Sequence, residues 1–153
     1  MNPKPQKRHK ALQPLSREHH HGLLLSWKIR NGFHKNVAPE RIKSYADWFF
    51  ETHLIPHFEM EETHLFSILE TNHDLVKRAL SDHRRLKRLF NNEDDITKSL
   101  SKIEEELEQH IRFEERILFP EIQKTATETQ LAHIEKIHQQ APFEDNLDDE
   151  FWK

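Results

Sequence analysis

The chain contains one internal repeat in which histidines and glutamates recur at the same relative positions. The pattern Leu-x-x-His-x-x-x-Glu-Glu-x-x-Leu-Phe covers residues 54–66 and recurs 53 residues later, over residues 107–119. On an α-helix, residues four apart differ by about 40° in azimuth and about 6 Å in height, so each histidine projects beside the first glutamate of its copy. The leucines and the Leu-Phe pairs place these side chains on or beside the stripe that faces the core. The repeat therefore predicts two helices that bring four polar side chains into one interior: His57, Glu61, His110 and Glu114.

The rest of the chain also has the composition of long amphipathic helices. Hydrophobic residues make up 35% of it and charged residues 33%, and its two glycines are too few for a β fold with many tight turns. Short connections between long helices favour antiparallel neighbours. We therefore expect an all-α fold, namely an up-down-up-down antiparallel four-helix bundle with a short fifth C-terminal helix.

Turn and capping signals predict the limits of these helices. Pro56 lies inside the second helix and predicts a kink or bulge near residues 52–56, because proline lacks a backbone donor and crowds the preceding turn. Thr127 and Gln130 resemble a capping box at the start of the fifth helix, which Pro142 is expected to end. The first helix is expected to run from Ser16, as its N-cap, to residue 31 or 33, and the second from residue 39 to about residue 69. The third is expected to run from Asn72, as its cap, to residue 90, and the fourth from residue 94 or 95 to about residue 120.

The length of 153 residues favours a single domain with charged ends. We expect a flexible basic N-terminal arm over residues 1–14, the helical bundle over residues 15–140 and an acidic C-terminal tail over residues 141–153. No apolar run approaches the length of a membrane span and the first ten residues lack the apolar middle of a signal peptide, so a cytoplasmic protein without a membrane partner is expected. The basic arm comes without a reading helix or an aromatic platform, so binding to nucleic acid is not predicted.

Two further helices carry histidines into the same interior. Leu80 and Leu86 lie three residues on either side of His83, which places this histidine on the core-facing stripe. On the first helix the order of an acid and then a histidine aligns His19 with His83, whereas the helical phase of Leu23 and Trp27 favours His20. Both alternatives, His19 and His20, remain open at this point.

Four histidines and two glutamates in one interior predict a metal site. Two buried glutamates that face each other are strongly unfavourable unless cations lie between them. The chain has no cysteine, so zinc-thiolate and iron-sulfur sites are excluded. Imidazole and carboxylate ligands together suit iron, manganese or zinc. Glu62 and Glu115 point about 100° away from the neighbouring Glu61 and Glu114 and are expected to form ion pairs outside the site.

These motifs resemble those of the hemerythrin-like HHE cation-binding family, over about residues 15–120. The resemblance implies two non-haem iron ions (Fe2+/Fe3+) bridged by carboxylate and by oxo or hydroxo groups, with manganese or zinc as alternatives. It implies terminal ligands at His57 and His110, bridging carboxylates at Glu61 and Glu114, and a shell completed by His83 and either His19 or His20. Oxygen-carrying hemerythrins have a second histidine four residues further along the third helix, where this chain has Lys87. This departure shifts the expected role from oxygen carriage to sensing, redox chemistry or iron handling.

The leading functional hypothesis is a di-iron protein that binds or reacts with dioxygen, nitric oxide or peroxide. An oxidase or peroxidase-like activity is one version of it and ligand binding is the favoured version. No catalytic residue, organic cofactor or protein partner is assigned. The alternative is a metal-free helical interaction module whose buried histidines act as a pH-sensitive switch.

Overall fold

The computed structural model describes residues 7–138 and 142–153 and confirms the all-α prediction: these residues form helices, turns and loops, without a strand. None of the described helices is both long and apolar enough to span a membrane. We number five helices: α1 (Gln13–His34), α2 (residues 39–68), α3 (Asp74–Asn91), α4 (residues 96–125) and α5 (Glu128–Ile137).

Helices α2 and α4 change their winding along their length. Two of the π-helical turns end two residues before a proline, Pro56 or Pro120. Because proline offers no N–H and crowds the carbonyl four residues earlier, the wider π turn lets the helix continue past it. The kink or bulge expected near residues 52–56 is thus a π turn. Helix α4, which was expected to end at about residue 120, continues to Thr125. The segments of α2 are α-helical Pro39–Phe49, π-helical Phe50–Leu54, α-helical Ile55–Met60, π-helical Glu61–Leu65 and 3-10 helical Phe66–Ile68. Those of α4 are α-helical Ile96–Phe113, π-helical Glu114–Leu118 and α-helical Phe119–Thr125.

Capping confirms two predicted starts and corrects two others. The Asp95 side chain caps α4 by accepting from the Lys98 N–H, which is one of the two predicted alternatives. The Thr127 side chain accepts from the Gln130 N–H and the Gln130 side chain accepts from the Thr127 N–H, which is the predicted capping box. The cap of α3 is His73, whose Nδ1 accepts from the backbone of the second following residue, and not Asn72. Ser16 is not the cap of α1, since this helix starts at Gln13 and the Ser16 hydroxyl donates to a glutamate of α4.

Contacts between α1 and α4 pair rising residue numbers on one helix with falling numbers on the other. A Cβ atom added to Gly22 would lie 2.6 Å from Cδ1 of Ile111, so glycine permits the two helices to approach closely at this point. Between α3 and α4, Arg85 Nε lies 3.0 Å from Glu106 Oε1 and forms an ion pair with it. The pairs along α1 and α4 are Ser16 with Glu115, Gly22 with Ile111, and Arg30 with Glu104.

The hydrophobic core consists of two clusters, and the repeated motif lies where they meet. Along α2 one cluster reaches as far as Phe58 and the other begins at Met60; along α4 the first reaches Ile111 and the second begins at Phe113. The repeated histidines and glutamates therefore lie at the boundary between the clusters, with apolar packing on both sides.

The described parts of both termini pack against these helices. Ala11 and Leu12, within the expected basic arm, are 0% exposed and belong to the second cluster. Phe151 and Trp152, within the expected tail, are buried in the first cluster. Apolar side chains thus tie the described parts of both termini to the core.

Candidate metal centre

Each long helix brings one histidine into a common buried cluster, and α2 and α4 each add a glutamate. Both glutamates, Glu61 and Glu114, are 0% exposed, and the four histidines are 1–5% exposed. The structure also separates the two alternatives on α1: His19 lies in the cluster, whereas His20 is exposed and contacts the ring of His21. The residues brought together are His19, His57, Glu61, His83, His110 and Glu114.

Each inner glutamate lies close to two inward histidines, and both glutamates belong to each of two possible sets of metal ligands. Glu61 Oε1 lies 3.4 Å from His57 Nε2 and 3.3 Å from His83 Nε2. Glu114 Oε1 lies 3.0 Å from His19 Nε2 and 3.2 Å from His110 Nε2. In each case the Nε2 atom points inward. Two sets of ligand atoms, each within 4.8 Å of one another, could hold a metal ion: His19, His57, Glu61 and Glu114, and Glu61, His83, His110 and Glu114.

The Nδ1 atoms of the four histidines face a second layer of carboxylates. Each carboxylate comes from a neighbouring helix, so α1 supports α2, α2 supports α3, α3 supports α4 and α4 supports α1. Three of these contacts are hydrogen bonds in which the imidazole donates, and the contact of His19 is longer. The pairs are His57 with Glu18 at 2.7 Å, His83 with Glu62 at 2.8 Å, His110 with Asp82 at 2.8 Å, and His19 with Glu115 at 3.2 Å.

A carboxylate on Nδ1 orients a metal-binding histidine and makes its other nitrogen a stronger ligand. Sequence reasoning placed Glu62 and Glu115 outside the site and gave no role to Glu18 and Asp82. The signal was present, because Glu18-His19, Asp82-His83 and both Glu-Glu doublets put an acid directly beside four of the six inward residues. One residue along a helix turns the side chain by about 100°, which is enough to reach the next helix. The expected ion pairs therefore exist, but their partners are the site's own histidines.

Mutual charge pairing dominates the electrostatics of the inner residues. Burial opposes ionisation of Glu114, but the adjacent His110 and His19 bring its pKa well below the usual value. Burial also opposes protonation of His110, yet the charges of Glu114 and Asp82 raise its pKa to about 10. The pKa values of the other three inward histidines are raised as well, against burial, by their carboxylate neighbours. The inner carboxylates and the inward histidines thus each favour the charged form of the other.

The inner polar atoms fit a bound metal better than they fit one another. Among the described residues, the inward Nε2 atoms of His57, His83 and His110 and both oxygens of Glu61 are buried without a hydrogen-bond partner. Unpartnered buried polar atoms are rare and costly in folded proteins. Here they converge on one point and carry the donor types that iron, manganese and zinc accept. The donor set therefore fits the metal site expected from the sequence.

A cavity of about 250 Å³ reaches this cluster from the side of the C-terminal segment. Its inner end touches three of the inward histidines, His19, His57 and His110. The fourth, His83, is covered by the ring of Phe58, stacked at 3.8 Å. Lys87, at the place where a fifth histidine was considered, lies outside the cluster with its Nζ 3.9 Å from Glu62. The cluster thus contains four inward histidines, three of which this cavity reaches.

Comparison with known proteins gives a family match in the second half of the chain. No curated protein and no solved structure matches the chain. Residues 74–142, which contain His83, His110 and Glu114, match the family model of the Hemerythrin HHE cation binding domain, and this match confirms the resemblance seen in the sequence.

Proposed function

We propose that this chain is a non-haem di-iron protein that binds or reacts with dioxygen, nitric oxide or peroxide. The observation that carries the proposal is the sharing of two fully buried glutamates by two histidine pairs. The matched domain type implies cation binding, and the geometry supports the number of ions and the ligands of each.

Charge favours two divalent ions over one. Six carboxylates surround the four imidazoles: two inside and four on the Nδ1 atoms. A cation in each of the two overlapping sets would offset the charges of Glu61 and Glu114 and give the unpartnered Nε2 atoms a ligand role. His19 and His57 would hold one ion, His83 and His110 the other, and both glutamates would bridge.

Bound iron would supply reversible one-electron chemistry and an open coordination position for a small molecule. The chain's own residues do the rest. Burial of the cluster excludes bulk water, the outer carboxylates fix the orientation of each imidazole, and the cavity admits small ligands beside His19 and His57. Nothing in this arrangement requires a catalytic side chain, so ligand binding in sensing, redox chemistry or iron handling is the favoured version.

We also propose the up-down-up-down bundle for the four long helices. The opposite order of residue numbers in the contacts between α1 and α4 supports it, as does the pairing of His57 with Glu18 and of Ile42 with Gly32 between α2 and α1. Alternating directions bring the middle of every helix to one level, and the inward histidines occupy that level.

Elemental analysis of protein purified anaerobically from iron-sufficient medium tests the metal proposal. We expect about two irons per chain and their loss in the Glu61→Ala and Glu114→Ala variants. Glu59→Ala is the matched control, since Glu59 lies on the same helix but is exposed. Negligible metal in the unaltered protein, even after reconstitution with ferrous iron, would reject the proposal in favour of a metal-free interaction module.

A further inference from the structure

The cavity beside the cluster is larger than a diatomic ligand or peroxide requires. Its volume of about 250 Å³ exceeds the roughly 150 Å³ of engineered apolar cavities that bind benzene. The outer half is walled by the aromatic rings of Phe49 and Phe143 and by the imidazoles of His21 and His53. The Phe143 ring stacks on His21 with centroids 3.9 Å apart, and its centroid lies 4.7 Å from that of His53. Flat aromatic walls of this kind suit a flat aromatic guest.

The lining of the cavity selects against anions. Among the described residues that line it there is no lysine or arginine, and its charged side chains outside the histidines are Glu18 and Glu114. A carboxylate, sulfonate or phosphate at the outer end would meet no lysine or arginine among the described lining residues. An uncharged guest avoids this cost.

Two polar atoms in the outer half are without a partner among the described residues. Nδ1 of His21 and Nε2 of His53 are both buried and make no hydrogen bond there. Each neutral imidazole nitrogen can donate or accept one hydrogen bond. A guest with one hydroxyl group could satisfy one of these atoms.

From this arrangement we propose that the cavity binds an uncharged phenol of one or two rings, with its ring against the aromatic wall formed by Phe143 and Phe49 and its hydroxyl on His53 or His21. The side chains that would hold the phenol, in the outer half of the cavity, are not among the proposed metal ligands, so phenol binding does not require iron and goes beyond the proposed metal function. It would place an organic molecule within the same cavity as His19 and His57.

Isothermal titration calorimetry with three probes of similar size tests the proposal, on protein with and without iron. The probes are 4-methylphenol, toluene, which lacks the hydroxyl, and 4-methylbenzenesulfonate, which carries a charge. We expect 4-methylphenol to bind at least about tenfold more tightly than either of the others, because one satisfied buried hydrogen bond contributes about 1–2 kcal/mol. Comparable binding of the sulfonate, comparable binding of toluene, or no binding of 4-methylphenol would overturn the proposal.

Histidine variants locate the interaction. His53→Leu and His21→Leu each replace an imidazole of the wall by an apolar side chain. We expect one of the two to weaken the binding of 4-methylphenol about tenfold, while the affinity for toluene stays unchanged. His133→Leu, on the exposed face of α5, is the matched control and should change neither affinity. Unchanged 4-methylphenol affinity in both cavity variants would overturn the placement.

Iron analysis of the same samples separates the two proposals. Phenol binding in a protein that takes up no iron would reject the di-iron function alone. Full iron loading without phenol binding would reject the present inference alone.

Discussion

Replacing Glu62 by glutamine should weaken metal binding without removing a metal ligand. The Glu62 carboxylate accepts from His83 Nδ1 at 2.8 Å, and this hydrogen bond lowers the pKa of Glu62. An amide in its place keeps the shape but loses the charge that orients the imidazole and raises its basicity. Loss of such an outer partner costs about 10- to 100-fold in metal affinity, which is about 1.4–2.7 kcal/mol.

Competition against a chelator of known affinity measures this change, with Glu59→Gln as the matched control. Glu59 is an exposed glutamate on the same helix, so its variant should bind metal like the unaltered protein. Glu115→Gln should have a smaller effect than Glu62→Gln, because the contact of Glu115 with His19 Nδ1 is longer, at 3.2 Å. Equal affinities for Glu62→Gln and Glu59→Gln would refute the role assigned to the outer carboxylates.

Three further outcomes are expected. His19→Ala should lower the metal content measured by elemental analysis, whereas His20→Ala should leave it unchanged. Metal affinity should increase with pH when measured by titration between pH 6 and 8. The raised pKa values of the inward histidines mean that a metal ion must displace protons, and fewer protons remain bound as pH rises. An affinity independent of pH would contradict this prediction. Gly32→Ala should reduce the free energy of unfolding, measured in urea, by about 1 kcal/mol. The added Cβ would lie 2.9 Å from the Phe151 ring, and an overpacking cost of about 1–3 kcal/mol outweighs the gain of about 1 kcal/mol in helix propensity. An increase in stability would show that Phe151 moves aside freely.

The sequence was sufficient to predict the all-α class and the histidines of α2, α3 and α4, because strong 3.6-residue periodicity determines which face of a helix is buried. It left His19 and His20 undecided for a reason that the structure makes clear. The phase was taken from Leu23 and Trp27, but Trp27 is 46% exposed, and the buried stripe of α1 runs through Leu15, His19 and Gly22. A large aromatic residue on a helix surface is a poor guide to phase when its contacts depend on other segments.

The packing of the C-terminal segment depends on contacts that local patterns do not encode. Lys28, on α1, is buried with its Nζ 2.7 Å from Asp145 and 2.8 Å from the Tyr45 hydroxyl, and it lies 3.9 Å from the centre of the Trp152 ring. Each partner is more than 15 residues away along the chain. Acidic residues beside a few aromatic ones are as typical of a solvated tail as of a docked one, so composition alone could not distinguish the two.

The cavity makes the two halves of the cluster unequal, although both derive from one repeated pattern. His19 and His57 both line the cavity, whereas in the other pair His110 lines it and His83 is shielded by the stacked ring of Phe58. A molecule that arrives from outside therefore meets both histidines of one pair and one histidine of the other. If the cluster holds the two ions proposed above, we expect stepwise reaction at two distinguishable positions, with the position beside His83 retaining its ligands longer than the open one.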